Sequence, residues 1–296
     1  MSIKLPSWQT GLNFLLDGAA FTPLASIDLY RSAALRVKSR ESSSRNPRFH
    51  EELLSVPQAQ PNIRFPLAPE VTSLLQKYAE QGCELTDDGT CSALSKALKN
   101  GTVIWSHFSR AVVQLDERIV VKIGSSITLT DANMTAHIRS HSSDIPVPEP
   151  LGYLGGGSPP LCIDSRMWKR ESPEYIEGEG EFNEFLLSGN RRPGMEPYVE
   201  FVRPMLYNNH RIVLTHGDLH PRNIMAIKDG EGEVRVAGLV GWEVGGAYPE
   251  YWEFVKSLNT IRPIRFSDWP FFLPLEGIGI YYEEYAIDRL VDHCVT

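Results

Sequence analysis

Cysteine is scarce and scattered: Cys83, Cys91, Cys162 and Cys294 make no C-x-x-C pair and have no histidine at metal-ligand spacing. This argues against a disulfide framework or a zinc ribbon and reads as reduced, structural thiols in a cytoplasmic protein. Long apolar runs are missing too, and no stretch approaches the eighteen residues of a membrane helix. A leader is not expected either, because residues 12–21 are broken by Asn13 and Asp17 and only Lys4 precedes them. Positive charge is in deficit, with 29 Lys and Arg against 37 Asp and Glu and a net charge of −8. Nucleic acid and anionic membrane surfaces both demand a basic face, so neither is the expected partner. No internal repeat is visible. What remains is a chain of 296 residues with 42% hydrophobic and 22% charged content, an ordinary globule long enough for one large domain or two small lobes.

Local patterning divides the chain unevenly. Residues 36–48 are basic, serine-rich and poor in apolar groups, which predicts a solvated loop, and residues 57–69 hold four prolines and read as an extended linker. Pro69 opens a helix with Val71, Leu74, Leu75 and Tyr78 on one face, closed by Gly82, and a short helix is expected over 91–98. Two β-rich runs, 111–115 and 118–123, are joined by Asp116-Glu117 and predict a hairpin from which Lys122 projects. Thr130 can N-cap a helix running to about His141, with Asp131 in its first turn. Residues 101–110 carry Trp105, His107 and Phe108 instead of a G-x-G-x-x-G phosphate loop, which suits an aromatic lid over a small organic ligand. Further helices are expected over 181–187, 196–206, 251–258 and 278–294, and a second hairpin over 223–240 around the turn 229–232.

The densest chemistry lies in Leu214-Thr-His-Gly-Asp-Leu-His-Pro-Arg-Asn-Ile-Met225. Asp218 and Asn223 stand five residues apart, the spacing of the base and the metal-binding amide in the H-R-D-x-x-x-x-N loop of phosphoryl transfer. His216 and His220 flank Asp218, a concentration of titratable groups of the kind whose pKa values move. His216 also suits a structural role, bonding backbone near the metal loop. The second hairpin brings Asn223 at the start of one strand beside Gly241 at the end of the next.

Thr215-His-Gly-Asp-Leu-His-Pro-Arg-Asn-Ile224, then Gly238-Leu-Val-Gly-Trp-Glu243 and Tyr248-Pro-Glu-Tyr-Trp-Glu253, resembles the aminoglycoside-phosphotransferase family, and its fungal branch most. The likeness continues in Val120-Val-Lys-Ile123, Ile145-Pro-Val-Pro148 and Tyr281-Tyr-Glu-Glu-Tyr-Ala-Ile-Asp-Arg-Leu290, covering roughly residues 101–296. The resemblance implies an α+β, bilobal protein-kinase-like fold with a truncated small lobe and hinge. Residues 1–100 would be a helical or irregular extension, 101–153 a small β-rich lobe, and 154–296 a helical large lobe carrying the catalytic loop. It implies Mg-ATP as cofactor. Lys122 would reach the α- and β-phosphates with Asp131 as its helix partner, Asp218 would be the base, and Asn223 a metal ligand.

Three departures bear on that cofactor. Asp131 is one methylene shorter than the family's usual glutamate. Gly241 stands where the family has its metal-binding aspartate, leaving Glu243, two residues on, as the available carboxylate. The segment around 151–160 is too short to supply the adenine-contacting hinge. Losing the bridging carboxylate costs roughly 10³-fold or more in rate, since the metal stabilises the phosphoryl oxygens in the transition state. The expected function is therefore binding of, or action on, a small molecule, with ATP-dependent transfer impaired or lost. Two alternatives stand beside it: acid/base chemistry on a small organic substrate through Asp218 or a histidine, and a pseudokinase-type binding module.

Overall fold

A computed structural model describes residues 26–31, 63–79, 85–107, 110–124, 127–155, 162–165, 169–172, 176–188, 194–228, 233–259 and 268–295. The chain is mixed α+β and divides into two compact units, Met1–Ser158 with Met225–Leu239, and Pro159–Ile224 with Val240–Thr296. Among the described residues no helix is long and apolar enough to cross a membrane. Gly82, the residue expected to close the first helix, Phe108 of the expected aromatic lid, the basic stretch 36–48 and the turn 229–232 lie outside the described residues.

The first unit is built on a six-stranded antiparallel sheet. Its strands are β1 (Ser26–Arg31), β2 (Ile63–Phe65), β3 (Thr102–His107), β4 (Arg110–Gln114), β5 (Ile119–Gly124) and β6 (Pro150–Leu154), in the order β2-β6-β1-β5-β4-β3. The β4–β5 hairpin forms where the apolar runs predict it, with Val112 opposite Lys122 and Val113 opposite Val121. Asp116 secures the turn by accepting from the Arg118 and Ile119 amides, each at 2.8 Å. The expected linker and N-terminal extension do more than connect: β1 pairs with both β5 and β6, and β2, inside the proline-rich stretch, takes the outer edge beside β6. An edge tolerates that neighbourhood because prolines there cost no interior ladder bonds.

Period-2 alternation then sorts the two faces of the sheet. Ala111, Val113, Ile119, Val121 and Ile123 are buried against helices α1 (Pro69–Gln76) and α2 (Asp87–Asn100), through Val71, Leu74, Leu75, Leu94 and Leu98. Fully burying each such side chain contributes about 1.5–3 kcal/mol, so this contact is the unit's main store of stability. Helix α2 starts four residues earlier than its apolar pattern suggests because the Thr86 hydroxyl caps it, accepting from the Gly89 amide at 3.2 Å. Lys122, one residue out of phase, belongs to the opposite face. Helix α3 (Leu129–His141) begins before Thr130; its N-cap is Thr128, which makes no side-chain cap bond. Residues 101–110, read as a lid, are mostly strand β3, with Trp105 about half exposed (45%). The strands β10 (Ile224–Lys228) and β11 (Val234–Leu239) form a two-stranded ribbon, with the Leu239 amide donating to the Pro146 carbonyl at 2.7 Å.

The second unit is mainly helical. Strands β7 (Cys162–Ser165) and β8 (Lys169–Ser172) make one ribbon, and β9 (Ile212–Thr215) and β12 (Gly246–Pro249) another. Helices α4 (Glu179–Leu187), α5 (Glu196–Val202), α6 (Trp252–Asn259), the short α7 (Leu275–Ile278) and α8 (Tyr282–Val295) complete it. Its core is aromatic: Phe182 meets Trp252 edge-on at 4.9 Å and Tyr248 at 5.6 Å, with Val199, Val202 and Val291 closing around them. Helix α6 is buried from Trp252 to Ser257, so it runs through the interior and can carry polar groups to the loop above it.

Candidate active site

The loop after β9 is fixed from below by one buried carboxylate. Glu253, on α6, accepts from the backbone amides of His216, Gly217 (3.2 Å) and Leu219. Burial raises the Glu253 pKa, while the nearby His216 and those amides pull against the rise. The Glu253 role was not read from the sequence, although the residue closes the Tyr248–Glu253 motif; a glutamate between Trp252 and Phe254 in the first turn of a buried helix was the available signal. Gly217 has φ +75, and a Cβ there would lie 2.7 Å from the Val244 carbonyl oxygen, so the loop's close passage needs glycine.

His216 is buried and engaged at both ring nitrogens. Nδ1 accepts from the Asp218 amide at 3.2 Å, which leaves Nε2 to donate to the Val240 carbonyl at 3.0 Å. Its ring lies against Trp242 at 4.5 Å. These bonds tie the loop to the segment carrying Gly241, the structural role considered for this residue. His220 is half-buried near Trp269, with ring centroids 6.3 Å apart, and its Nδ1 accepts from the Arg222 amide at 3.3 Å. Loss of solvent, helped by the Arg222 charge and opposed by Asp218, pushes its pKa down to about 4, so it is neutral at pH 7.

The Asp218 carboxylate is largely engaged within its own loop. Arg222 Nη2 donates to Oδ1 at 2.6 Å and to Oδ2 at 2.8 Å, and Asn223 Nδ2 donates to Oδ2 at 2.8 Å. The same Asn223 nitrogen donates to the Asp218 carbonyl at 2.8 Å. Both partners can only accept, so the nitrogen must face Asp218 and the amide oxygen turns away from it. The carboxamide as a whole, including the oxygen a magnesium ion would use, lies flat against Gly241. A Cβ at Gly241 would lie 2.9 Å from that oxygen, 3.0 Å from the amide carbon and 3.1 Å from Nδ2. Gly241 is buried at φ +86, and the Val240 amide donates to the Asn223 carbonyl at 2.9 Å. The expected adjacency of Asn223 and Gly241 is thus met, with the carboxamide resting where a side chain at 241 would begin. Glu243 is half-buried in the turn that follows, closed by the Gly245 amide donating to the Trp242 carbonyl at 2.9 Å.

Lys122 and Asp131 come together in the first unit, Nζ to Oδ2 at 3.0 Å, with the lysine side chain 17% and the aspartate 3% exposed. The ion pair forms with an aspartate as its acid. Asp131 therefore serves the ion pair from the first turn of α3, on the buried stripe it shares with Ala132, Thr135 and Ile138.

As a seat for Mg-ATP the second-unit residues do not fit. Asn223 offers one neutral oxygen, and its neighbour at 241 has no side chain. Among the described residues no group of three or more His, Cys, Asp or Glu side chains is placed to hold a metal ion. Compared with known proteins, the chain matches no family model, no curated protein and no solved structure.

Proposed function

We propose that this chain is a small-molecule-binding protein of aminoglycoside-phosphotransferase type, with a bilobal kinase-like fold and with ATP-dependent phosphoryl transfer impaired or lost. The motif order Lys122, Asp131, Asp218, Asn223 supports the ancestry, as does the Lys122–Asp131 pair. One observation carries the functional half: the Asn223 carboxamide packs against buried Gly241, at the point where a metal-binding carboxylate would have to emerge. Asp218, clamped by Arg222 and Asn223, then holds the loop's shape. The scattered cysteines and acidic balance suit a cytoplasmic protein with a small-molecule ligand. Calorimetric titration with Mg-ATP and with Mg-ADP tests the reading. A flat trace to millimolar concentration is expected, and micromolar binding with turnover of a hydroxylated substrate would overturn it.

A second reading is acid/base catalysis without nucleotide, favoured by a neutral His220 in the same loop as Asp218. Its test is turnover of candidate substrates by the protein and by Asp218→Asn. Equal product from both removes Asp218 from the chemistry.

A further inference from the structure

We propose that His137 and His141 form a two-histidine site for a late first-row divalent metal ion, on the last turn of α3. The two residues are four apart, which stacks them on one helix face. Both are exposed, and their rings lie face to face with centroids 4.2 Å apart and planes 27° from parallel. The four-residue spacing is that of the helical half of a chelate, as in H-E-x-x-H metal helices. In the stacked pair the in-plane lone pairs run side by side, and rotation of the two exposed side chains turns them onto one ion.

The second observation concerns which nitrogen is available. His141 Nδ1 sits 2.9 Å from the His137 carbonyl oxygen and 2.8 Å from the Ser140 hydroxyl oxygen, and that hydroxyl itself donates to the same carbonyl at 2.8 Å. A carbonyl only accepts, so Nδ1 carries the proton and Nε2 keeps its lone pair. Metal-ligating histidines have this second contact as a rule: the non-ligating N–H donates to a carbonyl, carboxylate or water, which fixes the tautomer and raises ligand basicity. His141 has that bond already in place. The favourable contact of His141 with the helix C-terminus accounts for one histidine, but not for two stacked rings.

Imidazole ligands select Cu²⁺, Ni²⁺ and Zn²⁺ over the hard cations Mg²⁺ and Ca²⁺. The site is thus chemically distinct from any nucleotide-bound magnesium and stands whether or not the proposed function does. With two protein ligands and water completing the sphere, binding is exchangeable, and Cu²⁺ is the tightest of the three by the general order of divalent affinities.

The test titrates the full-length, untagged protein with copper, nickel or zinc chloride alone at pH 7.5, by calorimetry and by thermal unfolding. One saturable equivalent is expected, tightest for copper, together with a rise in Tm. His137→Ala, His137→Gln and His141→Ala should each weaken the affinity at least ten-fold and remove the Tm rise, whereas Ser140→Ala should retain both. Circular dichroism confirms that the variants fold, as exposed positions allow. Unchanged binding in the histidine variants would assign the metal to others of the eight histidines and overturn the proposal. So would the absence of a saturable equivalent in the wild-type protein.

Discussion

The two units hold their polar constellations together in different ways. In the first, a lysine on β5 and an aspartate on α3 still meet at 3.0 Å in largely buried surroundings, although the acid is a methylene shorter than its counterpart in the family the motifs resemble. In the second, the loop around Asp218 is intact in its hydrogen bonds, yet its partner segment carries Gly241 instead of an acid. The contrast follows from energetics. A buried ion pair cannot lose one member cheaply, because the other is left as a desolvated charge. No such penalty attaches to a glycine at 241, because the Asn223 amide is already held by Asp218. Structural cost thus ties the two members of the first constellation to each other, whereas the second holds together as a scaffold of hydrogen bonds around Asp218.

The sharpest way to break this comparison is to attack the scaffold itself. Glu253→Ala should be the most damaging substitution, since it strands three buried backbone amides at roughly 1–3 kcal/mol each, enough to approach the whole stability of a domain. Urea unfolding should show a collapsed midpoint or no cooperative transition, and a near-wild-type midpoint would show that the loop holds without its acceptor. Lys122→Met follows, with an expected loss of roughly 3 kcal/mol from leaving Asp131 buried without that cation, and Asp131→Asn should cost less because the lysine left behind is the more exposed member, 17% against 3%, and can turn its ammonium toward water. Equal midpoints for Lys122→Met and wild type would make the pair ornamental.

A gentler effect comes from His220. Its pKa falls from an ordinary 6.5 to about 4 in the folded chain, so between those values the unfolded state binds the extra proton. Stability is therefore highest above pH 6.5 and declines as pH falls toward 4, where the loss is complete. His220→Gln should flatten that part of the stability–pH curve. A slope unchanged by the substitution would mean that other groups set it.

Much of the fold was legible because its signals are local. The β4–β5 hairpin and helix α3 follow from alternation and a polar start, and the Asn223–Gly241 juxtaposition follows from the β10–β11 ribbon. Strand β1 was not legible: six residues, Ser26–Arg31, pair with partners about a hundred residues away, and no local pattern announces such long-range closure. β2 was hidden for a different reason, because prolines flanking a three-residue edge strand read as linker. In the site, the spacing of Asp218 and Asn223 was visible, but the capture of Asp218 by Arg222 depends on a 3₁₀ turn, Pro221–Asn223, that brings the i and i+4 side chains together. Glu253 was overlooked because a buried acceptor beneath a loop leaves little trace in periodicity.

Gly241→Asp bears most directly on the central claim. The aspartate must adopt φ near +86, at a cost of roughly 1–2 kcal/mol, and must displace the Asn223 carboxamide from its present place. If the missing acid is what disabled the site, Mg-ATP binding by calorimetry should be undetectable in the wild-type protein and measurable in Gly241→Asp, and should vanish again in Gly241→Asp with Asn223→Ala. Tight, magnesium-dependent ATP binding by the wild-type chain, unchanged by Gly241→Asp, would contradict the account.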